Sequence, residues 1–150
     1  MKFFLPILFL SSIFSQQQIS LPMEFTGINY DLSIPRPEEV IGHKIGDRHT
    51  RTSQVVDYFE AIADMTDRVV MDDHAVSHKG RRLIHAIVTH PDNHKNLENL
   101  RLENIKISNM PNQMTNAKLE KLPLVAYLGF SVHGDEASGT EAAILLLHHL

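Results

Sequence analysis

The run LPLVAYLGFSV, residues 122–132, constrains the fold of this chain more than any other stretch. Its eleven residues include no charged side chain, and a continuous apolar run of this kind is typical of a central strand buried on both faces of a sheet. After the turn HGDE comes SGTEAAILLLHHL, which is apolar nearly all round and predicts a buried helix. The start of this helix carries a capping-box pattern, Ser138-x-x-Glu141. The sequence therefore predicts a buried strand, a turn and a buried helix in succession.

The preceding half of the chain predicts the other elements of an α/β domain. Apolar residues recur at helical spacing through residues 53–65, which indicates an amphipathic helix. Two β-rich segments, residues 69–77 and 83–88, flank Lys79-Gly80, and a Gly in a two-residue turn favours a tight hairpin. Apolar residues at helical spacing then predict a second helix: Leu97, Leu100 and Ile105. This order of elements indicates an α/β domain with a mixed sheet.

The N-terminus has the form of a secretory signal peptide. Lys2 provides a positive charge, residues 3–10 are apolar, and cleavage is expected after Ser15. The apolar run is about half the roughly 20 residues that a spanning helix needs, so we expect no stable membrane span after cleavage. Residues 16–49 contain several prolines and glycines and are predicted to form an extended lead-in, with the domain proper at residues 50–150. The protein is therefore expected to be exported, to a periplasmic or extracellular location.

Charge and cysteine content narrow the classes of partner and the sources of stability. The formal net charge is −4, and neither sign forms a block, which argues against a nucleic-acid partner. The chain has no cysteine, so disulfides cannot stabilise the exported protein. Its stability must come from its core or from a bound metal.

The turn after the apolar run carries the residues best suited to chemistry. His133 stands at the carboxyl end of the predicted strand, where ligands bind in open α/β sheets, and Glu136 follows three residues later. A tight turn can direct residues i and i+3 toward one point, and imidazole and carboxylate are ligands that Zn²⁺ favours. A catalytic zinc also needs a third protein ligand and a position for water. His133 and Glu136 are therefore the candidate metal ligands.

The stretch VHGDEASGTEAAILLLHHL resembles the first zinc motif of the carboxypeptidase A-like zinc metallopeptidases, and the lead-in from VIGHKIGDRHT through the KGR turn to THPDN is similar to that of exported bacterial members. The resemblance implies a mixed-sheet zinc-carboxypeptidase-like fold and hydrolysis of peptide or protein substrates by zinc-activated water. It assigns His133 and Glu136 to the first two zinc ligands. In that family the third ligand, the general base and the oxyanion-stabilising Arg come later, beyond Leu150. The chain is therefore expected to be an incomplete N-terminal portion, inactive by itself, with no catalytic residue of its own.

Two other functions remain open from the sequence. Zinc-dependent acylamino-acid deacylases of the aspartoacylase and desuccinylase type also resemble the HGDE turn followed by a helix. A non-catalytic exported domain with a degenerate metal site is the alternative from another class. The long lead-in, residues 40–93, favours the peptidase over the deacylase.

The other histidines are weaker candidates for metal ligands. His148 and His149 lie at least 12 residues beyond Glu136, roughly 18 Å along a helix with a rise of about 1.5 Å per residue, and are excluded as ligands of the same zinc. Three histidines could converge across the hairpin, although polar residues on a solvated sheet face are the favoured interpretation: His74, His78 and His85.

Overall fold

A computed structural model describes residues 25–110 and 115–150. The signal-peptide prediction for residues 1–15 lies outside the described residues. The helices and strands, in chain order, are α1 (Pro37–Ile41), α2 (Thr52–Met65), β1 (Val69–Val76), β2 (Arg82–Val88), α3 (Pro91–His94), α4 (Leu97–Asn109), α5 (Asn116–Leu119) and α6 (Ala137–His149).

The structure is mixed α/β, as predicted, but the sheet of the described residues is smaller than expected. It has two antiparallel strands, β1 and β2. The predicted helix at residues 53–65 is confirmed as α2, and the second predicted helix is confirmed as α4. The described residues therefore establish the α/β class, while the pairings of a larger mixed sheet are not seen among them.

The predicted hairpin is confirmed, with a longer turn than the sequence suggested. The amide of Ser77 donates to the carbonyl of Arg81 at 2.8 Å, and the amide of Gly80 donates to the carbonyl of Ser77 at 2.8 Å. The loop therefore has three residues, 78–80, between the hydrogen-bonded residues Ser77 and Arg81. The last of the three, Gly80, has a φ of 72°. A three-residue loop that ends on a left-handed residue is a common hairpin connection, and this position explains the glycine.

The core lies where α1, α2, β1 and α6 meet. The amphipathic pattern of α2 buries Tyr58 and Ile62, and these pack with Ile144 and Leu147 of α6. Burial raises the pKa of the Tyr58 hydroxyl, and the nearby carboxylates of α1 act in the same direction. The core is therefore small and depends on contact between α2 and α6.

The lead-in at residues 16–49 was predicted to be extended, but its described part includes the helix α1. Pro37 occupies the first turn of this helix, where its missing amide hydrogen has no cost. Pro37 and Ile41 are buried against the core. The side-chain amide of Gln54, at the start of α2, donates to the carbonyl of Ile41 and joins the two helices. Tertiary contact therefore stabilises a helix that is too short to show a sequence period.

The prediction of a buried central strand at residues 122–132 is wrong in this structure. These residues belong to no helix or strand, and the side chains of Leu124 and Tyr127 are 94% and 91% exposed. A strand buried on both faces needs hydrogen-bonded neighbours on both sides, and neither β1 nor β2 pairs with this run. An apolar sequence indicates that a segment prefers a buried environment, but a strand is buried only where other strands or helices pack against it.

Candidate functional site

The HGDE turn brings His133 and Glu136 together. The backbone amide of Glu136 donates to the carbonyl of His133 at 3.1 Å, which closes a turn of four residues. The same turn places the Nδ1 of His133 2.9 Å from the Oε1 of Glu136. The two side chains are 68% and 60% exposed, so both are accessible from solvent. The i and i+3 side chains therefore converge, as the spacing predicted.

Close backbone packing positions this turn against the start of α6. Ser131 has a φ of 52°, a left-handed conformation that non-glycine residues seldom adopt. A Cβ atom on Gly139 would lie 2.7 Å from the backbone nitrogen of Ser131, which is too close for any side chain there. The hydroxyl of Thr140 donates to the Oγ of Ser131 at 3.0 Å. Gly139 therefore lets the segment before His133 approach the helix that follows Glu136.

The start of α6 differs from the predicted capping box. The helix begins at Ala137, one residue before the stretch predicted to be helical, but its N-cap is Glu136, with no side-chain cap hydrogen bond. Glu141 accepts hydrogen bonds from Thr50 instead, at 2.8 Å from the amide and 3.0 Å from the hydroxyl. Thr50 is buried and lies two residues before the first residue of α2. The capping-box prediction for Ser138 and Glu141 is wrong because a buried donor pair from a distant segment binds this carboxylate.

The prediction that α6 is a buried helix holds for one face only. Ala143, Ile144, Leu147 and His148 are buried, whereas Ala142 is exposed. Among the described elements, α1 and α2 pack against α6, and they cover its buried face. Sequence composition could not indicate which face finds a partner.

Glu141→Ala is expected to lower the free energy of unfolding by about 1–3 kcal/mol, because it leaves the buried amide and hydroxyl of Thr50 without their acceptor. Glu141→Gln is the matched variant, since it keeps one acceptor oxygen and should lose less. Urea unfolding followed by circular dichroism measures both. If the alanine variant unfolded at the wild-type urea concentration, Glu141 would not anchor α6.

The chemistry of the two side chains fits two positions of a zinc site. A tetrahedral zinc with bonds of about 2.1 Å places neighbouring ligand atoms roughly 3.4 Å apart. The observed separation of 2.9 Å between Nδ1 and Oε1 is that of a direct ion pair, and a zinc ion bound to both atoms would require them to move apart by about half an ångström. Among residues 25–110 and 115–150, no group of three or more His, Asp or Glu side chains is arranged to hold a metal. His133 and Glu136 are therefore a ligand pair and not a complete site.

The terminal histidines of α6 have structural partners. The Nδ1 of His149 hydrogen-bonds the hydroxyl of Tyr30 at 2.6 Å, and the ring of His148 stacks on that of Tyr30 with 5.3 Å between centroids. The hydroxyl of Tyr58 lies 3.4 Å from the Nδ1 of His148. These contacts attach the segment around Tyr30 to the core, and sequence reasoning did not find them because the partners lie about 120 residues apart.

The histidines of the hairpin are partly brought together. The rings of His74 and His85 lie 5.6 Å apart, centroid to centroid, on exposed residues. His78 occupies the turn between the strands. The exposure of all three histidines agrees with the favoured interpretation of polar residues on a solvated face, and two of the three also approach each other.

Comparisons of the chain with protein families, with curated proteins and with solved structures found no match. Within the part of the chain that the structure describes, every helix is too short or too polar to span a membrane.

Proposed function

We propose that this protein is an exported zinc metallopeptidase of the metallocarboxypeptidase type, in which His133 and Glu136 are two of the zinc ligands. The observation that carries the proposal is the 2.9 Å approach of His133 Nδ1 to Glu136 Oε1 on an accessible turn. The proposal includes a mixed-sheet zinc-carboxypeptidase-like fold, with which the α/β structure of the described residues is compatible.

The residues of the chain supply two metal-ligating groups and the contacts that hold them in position. His133 supplies an imidazole nitrogen and Glu136 a carboxylate oxygen, a combination found among catalytic zinc sites. Bound zinc would supply Lewis acidity, polarising a substrate carbonyl and lowering the pKa of water. Glu141 and Gly139 hold the start of α6 in place, so that both ligands lie on a fixed turn and not on a free loop.

The electrostatics of the turn suit a cation. The turn carries two carboxylate residues, Asp135 and Glu136, and no Lys or Arg occurs in residues 122–150. A divalent ion bound there would relieve the repulsion between neighbouring carboxylates. The proposed activity requires a third ligand, a general base and an oxyanion donor in addition to this pair.

Zinc binding to the 150-residue chain tests the ligand pair directly. Competition with a chromophoric chelator is expected to detect weak zinc binding at this pair, and His133→Ala or Glu136→Ala should weaken that binding about tenfold or more, because each removes one of two protein ligands. His90→Ala is the matched control, since His90 is equally exposed and remote in the chain. Equal zinc affinity in wild type and both variants would contradict the assignment.

The substrate class is tested by activity assays with zinc present. Short peptides and N-acyl amino acids are supplied in parallel, and we expect hydrolysis of peptides. Hydrolysis of N-acyl amino acids alone would identify a deacylase, and zinc binding without hydrolysis of either class would identify a non-catalytic metal-binding domain.

A further inference from the structure

The outer face of the β1–β2 hairpin carries a second pair of metal-ligating side chains. Alternation along β2 turns Ala86 and Val88 toward the core, so His85 lies on the opposite, exposed face. Asp72 is the cross-strand partner of His85 and shares that face. This face is separate from the HGDE turn.

A β-bulge brings the side chain of His74 close to that of His85. The register passes from Asp73 opposite Ile84 to Ala75 opposite Leu83, which leaves His74 as the extra residue. Bulges bend a strand and redirect a side chain. The result is that the rings of His74 and His85 lie 5.6 Å apart with 50° between their planes.

This ring separation matches joint coordination of one metal ion. Two imidazoles bound to one metal through bonds of about 2.0 Å have ring centres roughly 4.5–6 Å apart, depending on the angle at the metal. Both residues are exposed, so a metal ion reaches them without rearrangement of the core. The two imidazoles occupy two coordination positions, and water fills the others.

The charges around the pair favour a cation. Arg82 on β2 donates hydrogen bonds to Asp73 and to Glu60 of α2, and the Asp73 interaction holds the pKa of that carboxyl below its usual range. By the same alternation Arg82 and Asp73 lie on the core-facing side of the hairpin, whereas Asp72 is the carboxylate that shares the exposed face with His85. The Arg82 guanidinium is compensated by its two carboxylate partners, and the Asp72 carboxylate favours a cation on the face of the histidines.

We propose that His74 and His85 form a two-histidine site for a divalent late transition metal, with Cu²⁺ bound most tightly. Imidazole suits Cu²⁺, Ni²⁺ and Zn²⁺, and Cu²⁺ heads the order of affinities among these ions. The site is independent of the proposed peptidase function, because it lies on a different element and uses different residues.

The test is calorimetric titration of CuCl₂ into the full chain in a non-coordinating buffer. All variants carry His133→Ala, which removes copper binding at the HGDE turn. Addition of His74→Asn or His85→Asn is expected to weaken copper binding about tenfold or more, while His78→Asn and His90→Asn leave it unchanged. The replaced side chains are exposed, so circular dichroism should show the same fold for every variant.

Pulsed electron paramagnetic resonance counts the imidazoles on the bound copper. Two coupled imidazoles, reduced to one by either hairpin substitution, would support the site. Unchanged affinity in either the His74 or the His85 variant, or a single imidazole in the parent protein, would overturn it.

Discussion

On the proposed function, His133→Ala is expected to reduce peptide hydrolysis by about 1000-fold or more. The substitution removes one of the two proposed zinc ligands on the turn. A metal contributes several kcal/mol of transition-state stabilisation, and each 1.36 kcal/mol corresponds to a tenfold change in rate. Loss of the metal should therefore remove nearly all activity, and Glu136→Ala should have a similar effect.

The measurement is kcat/KM for short peptides with zinc in the buffer, together with the zinc content of the purified protein. His90→Ala is the control and should retain wild-type activity. Both ligand variants should keep the wild-type fold, because their side chains are exposed and outside the core. A His133→Ala protein with full activity would refute the site, whatever its zinc content.

Ile144→Ala is expected to lower the free energy of unfolding by about 2–5 kcal/mol. Ile144 is fully buried at 0% exposure and packs with Tyr58 and Ile62 between α6 and α2. Truncation removes buried methyl and methylene groups and leaves a cavity, and both effects destabilise the folded state. Since domains are stable by only about 5–15 kcal/mol, the loss is a large fraction of the total.

Urea denaturation of the 150-residue chain, followed by circular dichroism, measures this loss. Ile144→Val should cost about 0.5–1.5 kcal/mol, because it deletes a single methylene. Leu124→Ala removes a similar volume from a side chain that is 94% exposed, and should change the free energy by less than about 0.5 kcal/mol. If Ile144→Ala and Leu124→Ala had equal effects, α6 would not be docked on α2 as described.

Local elements were predictable from the sequence because short-range physics determines them. The helical period placed α2 within one residue of its observed start, and the β-rich segments around Gly80 indicated the hairpin. The spacing of His133 and Glu136 predicted their convergence, since a four-residue turn sets that distance by itself. In each case the interacting groups are near neighbours in the chain.

Contacts between distant segments were decided by the tertiary structure alone. Glu141 had a local partner available in Ser138, yet it binds Thr50, because two buried donors bind a carboxylate more strongly than one helix-start amide. The bulge at His74 and the stacking of His148 on Tyr30 likewise depend on which segments meet. Residues 122–132 show the same limit: their apolar side chains determine a preference for burial, but only neighbouring strands with free backbone groups can satisfy it.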